Sequence, residues 1–495
     1  MGIYAQAIAG LKQSEASGDG EVKAYPRSLV EAEGTRLMMV KHGLKKVLLA
    51  AGEGGLYEAL EGTEEDGGKI CPLSHANRLV LNRYLEYTVP RAFGTQIATI
   101  GLGDRLGVAS PGHIQTVRGR DVRPILAQQS IRELALTGRD YKQVVDAACY
   151  AVFQEGYKDG FGADGDHLKQ EADIKMSLDL GFTMLTLDCS EKIDNSVAEA
   201  AQEEIKTRYE ALPEAVRRYY EEKYQDRSFA VNGHELVFDQ DSLMKNVLIY
   251  GEAVLFMEHV YRTYIQPAGR AVDFEISIDE TATPTDPASH YLVAKELYDR
   301  GVAIYSMAPR FCGEFQKGID YIGDLAQFER ELAIHAAIAD HFGYKLSIHS
   351  GSDKFSVFPL VARYTSGRFH VKTAGTNWLE AVRTVAKARP DLYRRMHQYA
   401  LEHFGKAKAY YHVTTDISAI KPLSEVADAD LHRYMDENDA RQLLHITYGL
   451  LLQAKDEEGA SLFRQEFFDT LSEQEEQYEA ALAGHIGRHL ELLGK

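Results

Sequence analysis

From residue 95 onward the chain repeats one unit: a short β-prone run ending in polar or glycine residues, then a stretch of helical periodicity. The candidate strands are 97–102, 122–128, about 161–166, 182–188, 272–278, 302–307, 345–349 and 369–372. Parallel neighbours need a crossover connection between them, and a helix supplies it. Eight such units predict an α/β fold of the (β/α)8, TIM-barrel type. The runner-up, an open doubly wound sheet, finds no GxGxxG after a first strand.

A chain of 495 residues exceeds the ~250 of a bare barrel, so it must carry additions. Residues 1–94, with short apolar runs and acidic, glycine-rich loops, read as an N-terminal elaboration. The barrel is expected over 95–420. Its longest gap, about 190–270, is rich in Ala, Glu, Arg and Leu with i, i+4 charge pairs, which predicts a helical insertion after the fourth strand. Residues 421–495 predict a helical C-terminal addition.

Charge narrows the function. A net charge of −19 opposes a nucleic-acid surface, which needs clustered Lys and Arg. No window approaches the ~20 apolar residues of a membrane span, and no signal peptide is visible. Cys71, Cys149, Cys189 and Cys312 are scattered without metal or disulfide spacing, which suits a reducing cytoplasm. The expected partner is a small molecule; a homo-oligomer is left open.

In a barrel of this type, chemistry gathers at the carboxyl ends of the strands. There the sequence offers Asp104 and Arg105, Gln128, Asp164, Asp166, His167 and Lys169, Asp188, Glu275, Ser306 and Arg310, then His349, Ser350, Ser352, Lys354 and Lys372. Asp166 and His167 put a proton carrier and a metal ligand side by side on a glycine-flanked segment. A lone histidine among 18 is usually a core or surface residue, but His349 ends an apolar strand and precedes Ser-Gly-Ser. Glu275, between Phe274 and Ile276, would be costly to bury without a counter-charge. Brought together, His167, Glu275 and His349 make a two-His, one-carboxylate site for one divalent ion. Mixed N and O donors admit zinc, manganese, cobalt, nickel or iron.

Asp166-His167 and His349-Ser350-Gly351-Ser352 resemble the Asp-His and His-Gly-Gly-Ser elements of metal-dependent class II aldolases, barrels that stabilise an enediolate. More closely, 162–169, 347–358 and 369–380 are similar to the tagaturonate epimerase family, whose members interconvert tagaturonate and fructuronate; some relatives act on tagatose and fructose at carbon 4. The resemblance implies His167 and His349 as metal ligands, Glu275 as the third ligand and Asp166 as the general acid/base. Asp188 or Asp164 would be the second proton carrier. Class II aldolases take a third histidine from a later strand, whereas 306–310 holds none. Gln128, Lys169, Arg310, Ser350, Ser352, Lys354 and Lys372 are the expected substrate contacts. The alternatives are a sugar aldolase or lyase on the same scaffold, or a ketose/aldose isomerase.

Overall fold

The computed structural model describes residues 2–18 and 20–495, with only the backbone of Thr376 described. Eight strands form the closed barrel: β1 (Thr99–Leu102), β2 (Arg123–Ser130), β3 (Gly162–Leu168), β4 (Met184–Asp188), β5 (Asp273–Ile278), β6 (Ser306–Pro309), β7 (Lys345–Ile348) and β8 (Phe369–Thr373). The pairings from β3 through to β8 are all parallel. The predicted fold class is therefore the observed one. Seven of the eight strands overlie their predicted runs closely; the sixth is displaced. It was expected over 302–307 but begins at Ser306, because Gly301 turns the chain out of the preceding helix at φ +69° and 302–304 are used up on the approach.

Parallel strands under helices are buried on both faces. Leu185, Leu187, Phe274, Ile276, Leu346, Ile348 and Val371, which alternate with the site residues, are at most 1% exposed. The alternate positions are polar: Asp164, Thr186, Asp273, Glu275, Ser306, Lys345, His370 and Lys372. At the amino-terminal end of β7, Lys345 donates to Ile97 O and to Thr99 Oγ1, at 2.9 and 3.1 Å. The Thr99 hydroxyl also contacts Tyr305 and His370. Burial pushes the Lys345 ammonium down to about 7 despite Asp273 and Glu275. A hydrogen-bonded polar layer thus floors the barrel.

The contacts divide the chain into two compact, interleaved units. The first takes Met1–Arg91, Leu102–Ala163 and Ala374–Arg488; the second takes Ala92–Gly101, Asp164–Thr373 and His489–Lys495. In the first, an antiparallel six-stranded sheet occupies residues 22–71, and the C-terminal helices include Arg464–Glu473 and Glu475–Leu492. In the second, the segment after β4 holds helices Gln202–Glu210, Glu214–Tyr224 and Gln240–Val260. It also holds an antiparallel hairpin, Arg227–Val231 with His234–Phe238, turning on Asn232-Gly233. Among the described residues, no helix is long and apolar enough to cross a membrane.

Candidate active site

Asp166 and His167 are neighbours, and in a regular strand neighbours face opposite ways. Here the ladder slips. Gly165 pairs with Leu185 and Leu168 with Leu187, so β3 carries one residue more than β4 across this stretch. The bulge falls on Asp166-His167, and His167 takes a left-handed φ of +53°, rare for a non-glycine residue. Both side chains are thereby delivered to one basin, where the His167 ring meets the His349 ring edge-on with centroids 4.9 Å apart.

Four strands of the second unit line that basin. Asp164 and Asp166 come from β3, Thr186 and Asp188 from β4, Glu275 and Ser277 from β5, and Lys372 from β8. His349 follows β7 directly and Asp279 follows β5. Glu275 is fully buried, where an unpaired carboxylate would cost several kcal/mol. It is not unpaired: its Oε1 lies 2.7 Å from His349 Nε2 and 2.9 Å from Lys372 Nζ, and its Oε2 accepts from Ser306 Oγ. Lys372 also donates to Asp164 at 2.9 Å and to Asp166 at 2.6 Å.

The histidines are organised alike. His349 Nδ1 lies 3.1 Å from Asp279 Oδ2 while its Nε2 faces Glu275. His167 Nδ1 lies 3.8 Å from Asp188 Oδ2 while its Nε2 faces Asp166 at 3.9 Å. Each imidazole has a carboxylate behind it and a second ring nitrogen turned into the basin.

The charges tune one another. Burial opposes ionisation of His349, yet Asp279 and Glu275 raise it to about 10. Burial likewise opposes ionised Asp188, but His167 and the Ser190 donors hold it at about 2. Asp164 goes the other way: burial, helped by the charges of Asp166 and Glu275, outweighs Lys372 and pushes its carboxyl up to about 6. Asp166, contacted by Lys372 and beside His167, stays below the ordinary aspartate range despite burial.

The other predicted residues are placed as follows. Lys169 donates to Ser190 Oγ at 2.7 Å and lies 3.5 Å from Asp188, with its side chain 39% exposed. Arg310 donates to Thr281 O, and its N–H to Thr285 Oγ1. Lys354 is fully buried with its ammonium donated to Gln316 O, Ile319 O and Ser352 O, so it braces a loop. Ser352 is buried, and Ser350 takes a φ of +50° with its hydroxyl 3.2 Å from Lys317 Nζ. The Gly351 N–H is donated to Lys372 O at 2.9 Å, which removes it from substrate contact. Gln128 lies buried on β2 in the first unit, and among the described residues its amide oxygen has no hydrogen-bond partner. Arg105, also in the first unit, is paired with Glu133. Sequence reading missed Asp279, Thr186 and Lys317. Asp279 was legible, because Asp273, Glu275, Ser277 and Asp279 repeat a polar residue at every second position.

The sequence model of the tagaturonate epimerase family matches residues 25–493. A tagaturonate/fructuronate epimerase of Thermotoga maritima is 40% identical over 476 residues, which cover 95% of this chain and 97% of that protein. The native crystal structure of fructuronate-tagaturonate epimerase UxaE from Cohnella laeviribosi superposes with a TM-score of 0.95 at 69% identity, covering 99% of both chains. Its complex with one glycerol gives 0.96 at 69% identity over the whole of both chains. The chain therefore belongs to the tagaturonate epimerase family and is an isomerase of the epimerase class.

Proposed function

We propose that this protein interconverts tagaturonate and fructuronate by breaking and re-forming a carbon-carbon bond, with one divalent ion held by His167, Glu275 and His349. The family and its relatives' names support the substrate pair. The metal reading is carried by one observation: both imidazoles are backed by a carboxylate at Nδ1 and turn Nε2 inward. Metal-binding histidines are typically oriented in this way. With Glu275 beside His349 Nε2, the donors match a divalent ion in chemistry. In this reading Asp188 and Asp279 orient the imidazoles, so Asp188 moves from proton carrier to support.

The two uronates differ at the carbon β to the ketone, which no simple deprotonation beside the carbonyl can invert. A retro-aldol step can. When bound, the ion would supply Lewis-acid polarisation of the ketone. Asp166, kept ionised by Lys372, takes the β-hydroxyl proton as that carbon becomes an aldehyde. The electron pair of the broken bond passes into the ketone fragment. The aldehyde turns its other face, the bond re-forms, and Asp166 returns the proton. Of the cations expected from the sequence to grip the substrate carboxylate, Lys354, Lys372 and Arg105 are committed to other partners, so this role passes to Lys169, the half-buried cation beside Asp188. The four buried thiols suit work in the cytoplasm.

The test is metal analysis of purified protein with turnover before and after chelation. His349→Ala is expected to lose both bound metal and activity while staying folded. Full turnover by a chelated, metal-free sample would refute the metal role. Three-carbon products in stoichiometric yield would instead indicate a lyase.

A further inference from the structure

Beyond the barrel basin, the first unit contains a groove of about 420 Å³ lined by Leu106, Gly138, Arg139, Gln143, Ser461 and Arg464, among others. Its two guanidiniums are notable for what they touch. Arg139 donates to Asp104 O at 2.6 Å, to Gln129 Oε1 at 3.4 Å and to Gln143 O at 3.2 Å. Arg464 donates to Thr137 O at 2.7 Å and lies over the Phe468 ring. All of these acceptors are neutral, and among the described residues neither arginine has a carboxylate partner within ion-pair distance.

The acids whose charge reaches Arg139 are Asp104 and Asp140, and both are committed elsewhere. The Asp104 carboxylate accepts from the N–H groups of Leu106, Gly107, Ala109 and Ser110. Asp140 accepts the Gln143 N–H as a helix cap. Burial lowers Arg139's hold on its proton, and the Arg464 charge lowers it further. In a chain of net charge −19, two like charges sharing one groove without an acid between them are a cost. An anion would relieve it.

We propose that this groove binds a tetrahedral dianion, either inorganic phosphate or the phosphate of a monoester, between Arg139 and Arg464. The charge match argues for a dianion, since two guanidiniums present a double positive charge. Their planar, multidentate donors are suited to phosphate oxygens. Gln143 and Ser461 add neutral polar groups at the rim. Occupancy would tie Gly138-Arg139, behind β2, to the helix Arg464–Glu473.

The test is calorimetric titration of the full-length protein with inorganic phosphate and, in parallel, a hexose monophosphate, in a chloride buffer. Saturable 1:1 binding is expected. Arg464→Gln should abolish it, but that variant also loses the Thr137 contact, so Ser461→Asp is the cleaner probe. Ser461 Oγ accepts the Arg464 N–H, a role aspartate can keep while adding a negative charge to the groove. Binding by Ser461→Asp should weaken at least about tenfold with the melting temperature unchanged. Tighter binding of the monoester would make it the ligand, and equal or weaker binding would favour free phosphate; either supports the site. No binding by the wild type, or undiminished binding by Ser461→Asp, would overturn it.

Discussion

Asp279 does for His349 what Asp188 does for His167, and this supporting role is separable by mutation from the proton transfer assigned to Asp166. With Nδ1 against a carboxylate, each imidazole is held in one orientation with Nε2 turned into the basin, towards Glu275 for His349 and towards Asp166 for His167. Asp279→Asn should therefore leave the fold intact and weaken metal affinity ~10–100-fold, measured by competition with a chelating indicator. Asp166→Asn should do the opposite, keeping metal while turnover falls ~10²–10⁴-fold. If it turned over at the wild-type rate, the proton role would pass to Asp164, whose raised carboxyl stands across Lys372. At this scale the sequence was informative where a residue's neighbours made it anomalous: Glu275 between apolar residues, and His349 at the end of an apolar strand. It was silent on lysines. Lys354 and Lys372 look alike in sequence, yet one is donated to three backbone carbonyls and the other to three carboxylates.

Among the elements, the bulge in β3 and the close approach of β7 to β8 set the site. A methyl group at Gly351 would lie 2.6 Å from Val371 Cγ1 and 3.0 Å from Lys372 O. Gly351→Ala must displace the Val371 side chain and press on the Lys372 carbonyl, which disturbs the part of β8 that seats the Lys372 ammonium. The expected result is a fall in turnover with bound metal retained, and a crystal structure of the variant would show the displaced strand. Periodicity located the strands because parallel barrel strands are short, apolar and regularly spaced. It misplaced β6, where apolar residues of the approach extend the run, and it could not see the bulge, which is a property of two strands in register. The hairpin over 227–238 was overlooked within a charged helical segment. Its Asn232-Gly233 pair, with φ values of +41° and +90°, is nevertheless a strong hairpin signal.

For the whole molecule, the first unit joins the beginning of the chain to its end. Glu475 accepts from the Tyr25 hydroxyl at 2.8 Å and pairs with Lys46 and Lys41. Burial alone would raise its carboxyl, but Lys46, Lys41 and Tyr25 bring it down to about 2. A depressed carboxyl stabilises the fold fully above its unfolded value near ~4.3, and that contribution is lost as pH falls towards 2. Glu475→Gln should therefore lower the melting temperature at pH 7 and leave little difference near pH 2, on the order of 2 kcal/mol at neutrality. An equal penalty at both pH values would count against the ion pair. Nothing in local sequence announced this contact, because its partners lie 450 residues apart.

That separation has a consequence during synthesis. At ~5–20 residues per second a ribosome needs roughly 20–90 s to travel from Tyr25 to Glu475. Throughout that interval Lys41 and Lys46 of the amino-terminal sheet stand without the carboxylate that pairs with them, so this part of the fold stays unfinished until the helix Glu475–Leu492 emerges.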